Sequence, residues 1–186
     1  MKTLYTFFVL SFIVILVSCQ TQQVEVLEPQ IIPVPNSMEM LDGSFQFPQH
    51  IHIQAGDENA AIADLYASFF KDNLGCEVQI VKEGGEIVLE NTAKNSEAYM
   101  LEINKSGIHI QSSDYNGFFY ALQTLIQFFP GEAYTESVFK QYALPFCKIE
   151  DAPRFAYRGM HLDVCRHYFP ADFIKKYIDV MARYKM

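Results

Sequence analysis

The sequence predicts an α+β domain, an antiparallel sheet with two helices on one face, followed by the first β-α unit of a second domain. Three observations carry this. Short stretches of alternating apolar and polar residues recur between positions 31 and 149, the period of half-buried strands. Two intervening segments place apolar residues at helical spacing, so each forms a stripe that must be buried. Beyond Asp151-Ala152-Pro153, a strand-like run rich in arginine, aspartate and histidine leads directly into an amphipathic helix.

The N-terminus reads separately. Lys2 precedes an apolar run from Leu4 to Val17 that only Thr6 and Ser11 interrupt. A membrane span needs about 20 residues, so the pattern is that of an export signal over 1–18. Leu16-Val17-Ser18-Cys19 resembles a bacterial lipobox, which implies cleavage before Cys19 and lipid attachment to its sulfur. Residues 19–30 would then tether the chain to a membrane, since buried acyl chains contribute ~0.8 kcal/mol per CH₂. The remaining three cysteines, Cys76, Cys147 and Cys165, are too widely spaced for a zinc motif. Buried free thiols are the expected state, with one disulfide as the alternative in an exported protein. A net charge of −8 without a long basic run argues against a nucleic-acid partner.

The sheet domain spans 31–150. Ile31 to Pro35 reads as an extended entry, with Pro33 and Pro35 removing ladder donors. Leu41-Asp42-Gly43-Ser44 carries a turn signal. Phe45, Phe47, Ile51 and Ile53 alternate with polar residues, giving one strand or a pair broken at Pro48. The histidines His50 and His52 fall on the polar face, and no third ligand stands near enough for a metal site. A helix follows over 57–73, its stripe made by Ile62, Leu65, Tyr66, Phe69 and Phe70, with Gly75 as a left-handed cap. Val78 and Ile80 mark a strand, Gly84-Gly85 a hairpin-type turn, and Ile87-Val88-Leu89 the next strand. Alternation at 98–103 and 108–112 around Asn104-Lys105-Ser106-Gly107 predicts an antiparallel hairpin. A second helix runs over 117–129 behind Asp114 and Asn116, and Pro130-Gly131 stops it. A short strand at 144–149 closes the domain.

The second unit spans 151–186. The pattern gives a strand over 154–164, Pro170 at the first helical position, and an inner stripe of Phe173, Ile174, Tyr177, Ile178, Met181 and Tyr184. No stop signal precedes Met186, so the helix is expected to continue to it, and the chain is expected to be part of a longer protein.

No complete catalytic motif is present: GxSxG, HExxH and P-loop patterns are absent, and no acidic pair stands out. The chemistry-bearing residues gather in one run: Arg154, Arg158, His161, Asp163, Arg166 and His167. Isolated buried charges are costly, so a network is expected in which Asp163 pairs with Arg166 or His167 and holds the loop after the strand. Arg158 lies inside the strand pattern, where its planar fork needs a carboxylate or vicinal hydroxyls. Ligand sites of β/α folds lie at the carboxyl ends of strands, which moves Arg158 toward ligand contact.

The run Pro153-Arg154-Phe155-Ala156-Tyr157-Arg158-Gly159-Met160-His161-Leu162-Asp163-Val164-Cys165-Arg166-His167 resembles the start of the catalytic (β/α)8 TIM barrel of glycoside hydrolase family 20, the β-N-acetylhexosaminidases. Ile32-Pro33 with Pro35, Glu97-Ala98-Tyr99, Gly107-Ile108 and Gly117-Phe118-Phe119-Tyr120-Ala121-Leu122-Gln123-Thr124-Leu125 resemble the small α+β domain before that barrel. The resemblance implies retaining, substrate-assisted hydrolysis of terminal β-linked GlcNAc or GalNAc in glycans, with no cofactor. It implies a sugar-hydroxyl contact for Arg158, and it places the catalytic aspartate and glutamate in barrel strands beyond residue 186. The chain alone is therefore expected to be inactive. Met160, His161 and Cys165 depart from the family's usual residues without touching Arg158. A non-catalytic, surface-tethered carbohydrate-binding lipoprotein stays open as the alternative.

Overall fold

A computed structural model describes residues 29–92, 95–133 and 137–186; the expected export signal, Cys19 and most of the expected tether lie outside them. Seven strands form one sheet: β1 Ser37–Phe47, β2 His50–Ala55, β3 Glu77–Val81, β4 Ile87–Asn91, β5 Tyr99–Asn104, β6 Gly107–Ser112 and β7 Tyr142–Asp151. The helices among the described residues are α1 Ala60–Leu74, which extends a 3₁₀ turn at Asp57–Asn59, α2 Tyr115–Ile126 and α3 Ala171–Arg183. The strand order is β1-β7-β5-β6-β4-β2-β3.

The α+β class and the two helices on one sheet face stand, but the sheet is mixed. Strands β2/β3, β2/β4 and β4/β6 pair in parallel, whereas β1/β7, β5/β6 and β5/β7 are antiparallel. The expected Gly84-Gly85 hairpin does not form, because β3 and β4 lie on opposite sides of β2. The glycines instead let the connection cross β2 at close range. A Cβ on Gly85 would stand 2.6 Å from the Gln54 nitrogen, and the Gln54 side chain accepts from Gly84 N at 2.9 Å. The 31–35 segment forms no strand either. It is held by Gln127, whose side chain accepts from Ile32 N at 2.8 Å and donates to Ile32 O at 3.1 Å. The 41–44 turn signal falls inside β1, where it becomes a register irregularity between Met40 and Ser44.

Alternation decides which face is covered. Ile51, Ile53, Leu101, Ile103, Ile110 and Ile149 are buried against Ile62, Tyr66 and Phe70 of α1 and Phe118, Ala121 and Leu125 of α2. The helices also meet directly, Tyr66 donating to the Phe118 carbonyl at 2.7 Å. Cys76 and Cys147 are buried free thiols, and burial pushes them up to about 11 and about 12; Cys165 is exposed. Gly75 ends α1 in the left-handed conformation, as its position predicts. No helix among the described residues is long and apolar enough to cross a membrane.

Asp114 caps α2 and ties it to the loop before β5. Its carboxylate accepts from Gly117 N at 2.9 Å, Glu97 N at 3.0 Å and Ser96 Oγ at 2.6 Å. Partial burial favours the protonated carboxyl, but these three donors outweigh it and hold the group below its ordinary value. A carboxyl depressed in the folded state stabilises above its unfolded value of about 4 and loses that contribution as pH falls through the folded value. Asp114→Ala should therefore cost about 1–2 kcal/mol at neutral pH. The gap between variant and parent should narrow below pH 4 in urea titrations; a constant gap would contradict the capping role.

Candidate functional site

The second unit departs from its expected form. Residues 152–170 contain no helix or strand. A strand needs a ladder partner, and β7, which leads into this segment, is already paired on both sides by β1 and β5. Pro170 sits at the N-cap of α3 rather than inside the helix. The helix ends at Arg183 instead of continuing. Lys185 takes a left-handed φ of 60°, with bonds from Met186 N to Met181 O and from Lys185 N to Ala182 O, both 3.0 Å. That is a Schellman stop made without glycine.

This stop brings the C-terminal residues against the end of β7 and the start of β5, leaving a cleft of about 370 Å³. Arg158 lines it. Its Nε donates to the Lys185 carbonyl at 2.8 Å and Nη1 to the Phe155 carbonyl at 2.6 Å. Its Nη2 donates to Tyr120 OH at 2.8 Å and Glu97 Oε1 at 3.1 Å. Burial works against the guanidinium charge, but the bonds to Glu97 and Tyr120 prevail and raise its value. Four of the five donors are thus used within the chain, which leaves one Nη1 proton for a ligand.

A second cation lies behind the first. Lys185 Nζ donates to Tyr99 OH at 2.8 Å and Asp151 Oδ2 at 2.9 Å. Tyr99 OH also lies 2.6 Å from Thr124 Oγ1. Burial pushes the Tyr99 phenol well above its usual range, with the nearby Asp151 charge adding to the effect. Each cation here faces a carboxylate, Glu97 for Arg158 and Asp151 for Lys185. The cleft can orient a ligand, and its two carboxylates, Glu97 and Asp151, are each engaged by a cation.

Of the two partners expected for Asp163, the structure supplies Arg166. Asp163 accepts from Arg166 Nη1 and from Cys165 N, the latter at 2.8 Å, on the exposed surface. These bonds hold its carboxyl below the ordinary value. His167 makes no hydrogen bond or ion pair with the described residues, because the loop turns at Asp163–Arg166 and leaves it exposed. Sequence reasoning missed Tyr120, Asp151 and Lys185 as site residues. A signal did exist for Tyr99: a tyrosine on the apolar side of an alternating strand needs a partner for its hydroxyl.

A mixed sheet backed by two helices, whose last strand leads through an arginine-bearing segment into an amphipathic helix, defines an α+β domain joined to the opening of a second one. Residues 28–152 match "Glycosyl hydrolase family 20, domain 2" and residues 155–186 match "Glycosyl hydrolase family 20, catalytic domain". The chain belongs to glycosyl hydrolase family 20. It is 34% identical over 186 residues to the Beta-hexosaminidase of Porphyromonas gingivalis, covering 92% of this chain and 24% of that protein. It is 31% identical to the Beta-hexosaminidase of Vibrio furnissii, covering 83% of this chain and 24% of that protein. Among solved structures it resembles the Streptomyces plicatus N-acetyl-beta-hexosaminidase in complex with Thio-NAglucal, with a TM-score of 0.78, 30% identity, and coverage of 86% of this chain and 34% of that one. The chain thus spans about a quarter to a third of the length of these relatives.

Proposed function

We propose that this chain supplies the sheet domain and the first β-α unit of a β-N-acetylhexosaminidase that removes terminal β-linked GlcNAc or GalNAc from glycans. The observation that carries this is the match, in order, to both family 20 domains. The chemistry would be substrate-assisted: the sugar's own acetamido oxygen attacks the anomeric carbon while a glutamate protonates the leaving oxygen. That glutamate and the aspartate that orients the acetamido group would come from residues outside these 186. Arg158 would hold a ring hydroxyl, using the Nη1 proton left over from its internal bonds.

The test is a chimera in which residues 20–186 replace the matched segment of the Porphyromonas gingivalis protein. Turnover of p-nitrophenyl N-acetyl-β-D-glucosaminide or the galactosaminide is expected. A folded chimera that cleaves neither, beside a parent that cleaves one, would overturn the reading. The 186-residue chain alone should show no turnover above buffer, and activity there would place the acid within it.

We further propose, independently of the hydrolase reading, that the protein is an exported lipoprotein of a bacterial envelope. Its support is the apolar run from Leu4 to Val17 and the lipobox-like Leu16-Val17-Ser18-Cys19. Cells fed an alkyne fatty acid should label the wild-type chain, and Cys19→Ala should abolish both the label and partition into detergent. Persistent labelling of that variant would rule out this anchor.

A further inference from the structure

Lys185 stands out among the described residues as the charged side chain in the buried class, at 7% exposure. It directly follows a helix with little else to hold it. No residue of α3 is buried, and Phe173, Ile178 and Val180 are exposed. Lys185 also adopts φ 60°, a conformation that disfavours residues with a Cβ. Something must offset both the strain and the burial of charge.

Its contacts supply the offset. Through Nζ it reaches Asp151 in β7 and Tyr99 in β5, and it lies 5.1 Å from the Tyr99 ring centroid. Tyr99 passes the link to Thr124 in α2. Asp151 is held in turn: its Oδ1 accepts from Ala152 N at 3.0 Å and Asn36 N at 3.2 Å. The network therefore joins α3 to two strands and one helix of the sheet domain. Through its carbonyl, the same residue accepts Arg158 Nε at 2.8 Å. One end of Lys185 grips the sheet domain and the other grips the arginine.

We infer that Lys185 is a positioning residue, a latch that docks α3 on the sheet domain through Asp151 and Tyr99 and fixes the Arg158 guanidinium through its own carbonyl. The importance of Arg158 rests on the hydrolase reading; the latch itself does not. A lysine at this place differs from an apolar one because its charge has one partly buried carboxylate to meet, so docking has a single register.

The test follows the Arg158 Nε–H signal by NMR and amide exchange in α3, using this chain. Lys185→Met should shift the Arg158 signal and speed exchange of both by about tenfold, the effect of losing one charge-assisted bond. Amides in β5 and β6 should stay protected. Lys185→Arg should restore much of the protection, and Lys176→Met, on an exposed position of α3, should change nothing. If Lys185→Met unfolds the sheet domain, Tyr99→Phe removes a single Nζ partner and should produce the same loosening at smaller amplitude. An unmoved Arg158 signal in Lys185→Met, or in Tyr99→Phe where that replaces it, overturns the latch, as does an equal response in Lys176→Met. An inactive chimera would sink the hydrolase reading and leave this one untouched.

Discussion

Arg158→Ala in the Porphyromonas gingivalis chimera should lower kcat/KM by about one to two orders of magnitude. Hydrogen bonds from a charged donor contribute about 1.5–3 kcal/mol each. Loss of the one hydroxyl contact open to its free Nη1 proton then removes about 1.5–3 kcal/mol, and each 1.36 kcal/mol is tenfold in rate. Arg158→Lys should recover little, since an ammonium cannot keep the fork that spans Glu97, Tyr120 and the Phe155 carbonyl together. The direction of the kinetic split is informative. A rise in KM with kcat unchanged means that Arg158 holds substrate and transition state equally. An equal fall in kcat and kcat/KM means that its bond tightens as the ring distorts. A variant within threefold of the parent would remove Arg158 from the sugar site and leave it as a structural bridge to Glu97.

That bridge shows where the sequence stopped being legible. Alternation and stripes placed nearly every strand and both sheet-domain helices, because their signals lie within a few residues of one another. Gly75 was legible for the same reason, a local stop with a local cause. Gly84-Gly85 was not, although the residues were noticed. A glycine pair looks alike in a hairpin and in a crossing, and only the parallel partners of β2 separate the two. The strand expected over 154–164 failed for a related reason: its apolar and polar pattern was present, but a strand is completed by neighbours. The junction was hardest to read. Tyr99, Asp151 and Lys185 meet across 52, 34 and 86 positions of sequence, and no periodicity reports such a meeting. Arg158 could be singled out as needing a partner, but not that Glu97 and Tyr120 of the sheet domain would provide it.

Gly107→Ala should produce the largest loss of stability of any single methyl addition in the sheet domain, about 3–5 kcal/mol. Gly107 has φ +139°, a region essentially closed to residues with a Cβ, at a cost of about 1–3 kcal/mol. The added Cβ would also overlap the Glu86 carbonyl oxygen and stand 2.9 Å from its carbon. Neither atom can rotate away, since both belong to the backbone. That carbonyl accepts from Ile108 N at 2.8 Å, so relief by displacement breaks the first bond between β4 and β6. Overpacking of this kind adds about 1–3 kcal/mol. The position in the sheet magnifies the effect. The β4–β6 pair joins β2 and β3 to the antiparallel half that carries Tyr99 and Asp151. At roughly 2–4 °C per kcal/mol for a chain of this size, Tm should fall by about 10 °C. Gly131→Ala is the matched control, because no atom lies within 4 Å of its Cβ position. If the two variants melt within about 2 °C of each other, β4 and β6 are not in the close register described here. If Gly107→Ala instead loses exchange protection first in β4 and β6 while β5 and β7 hold, the two halves of the sheet open separately. The junction with α3 would then rest on the antiparallel half alone.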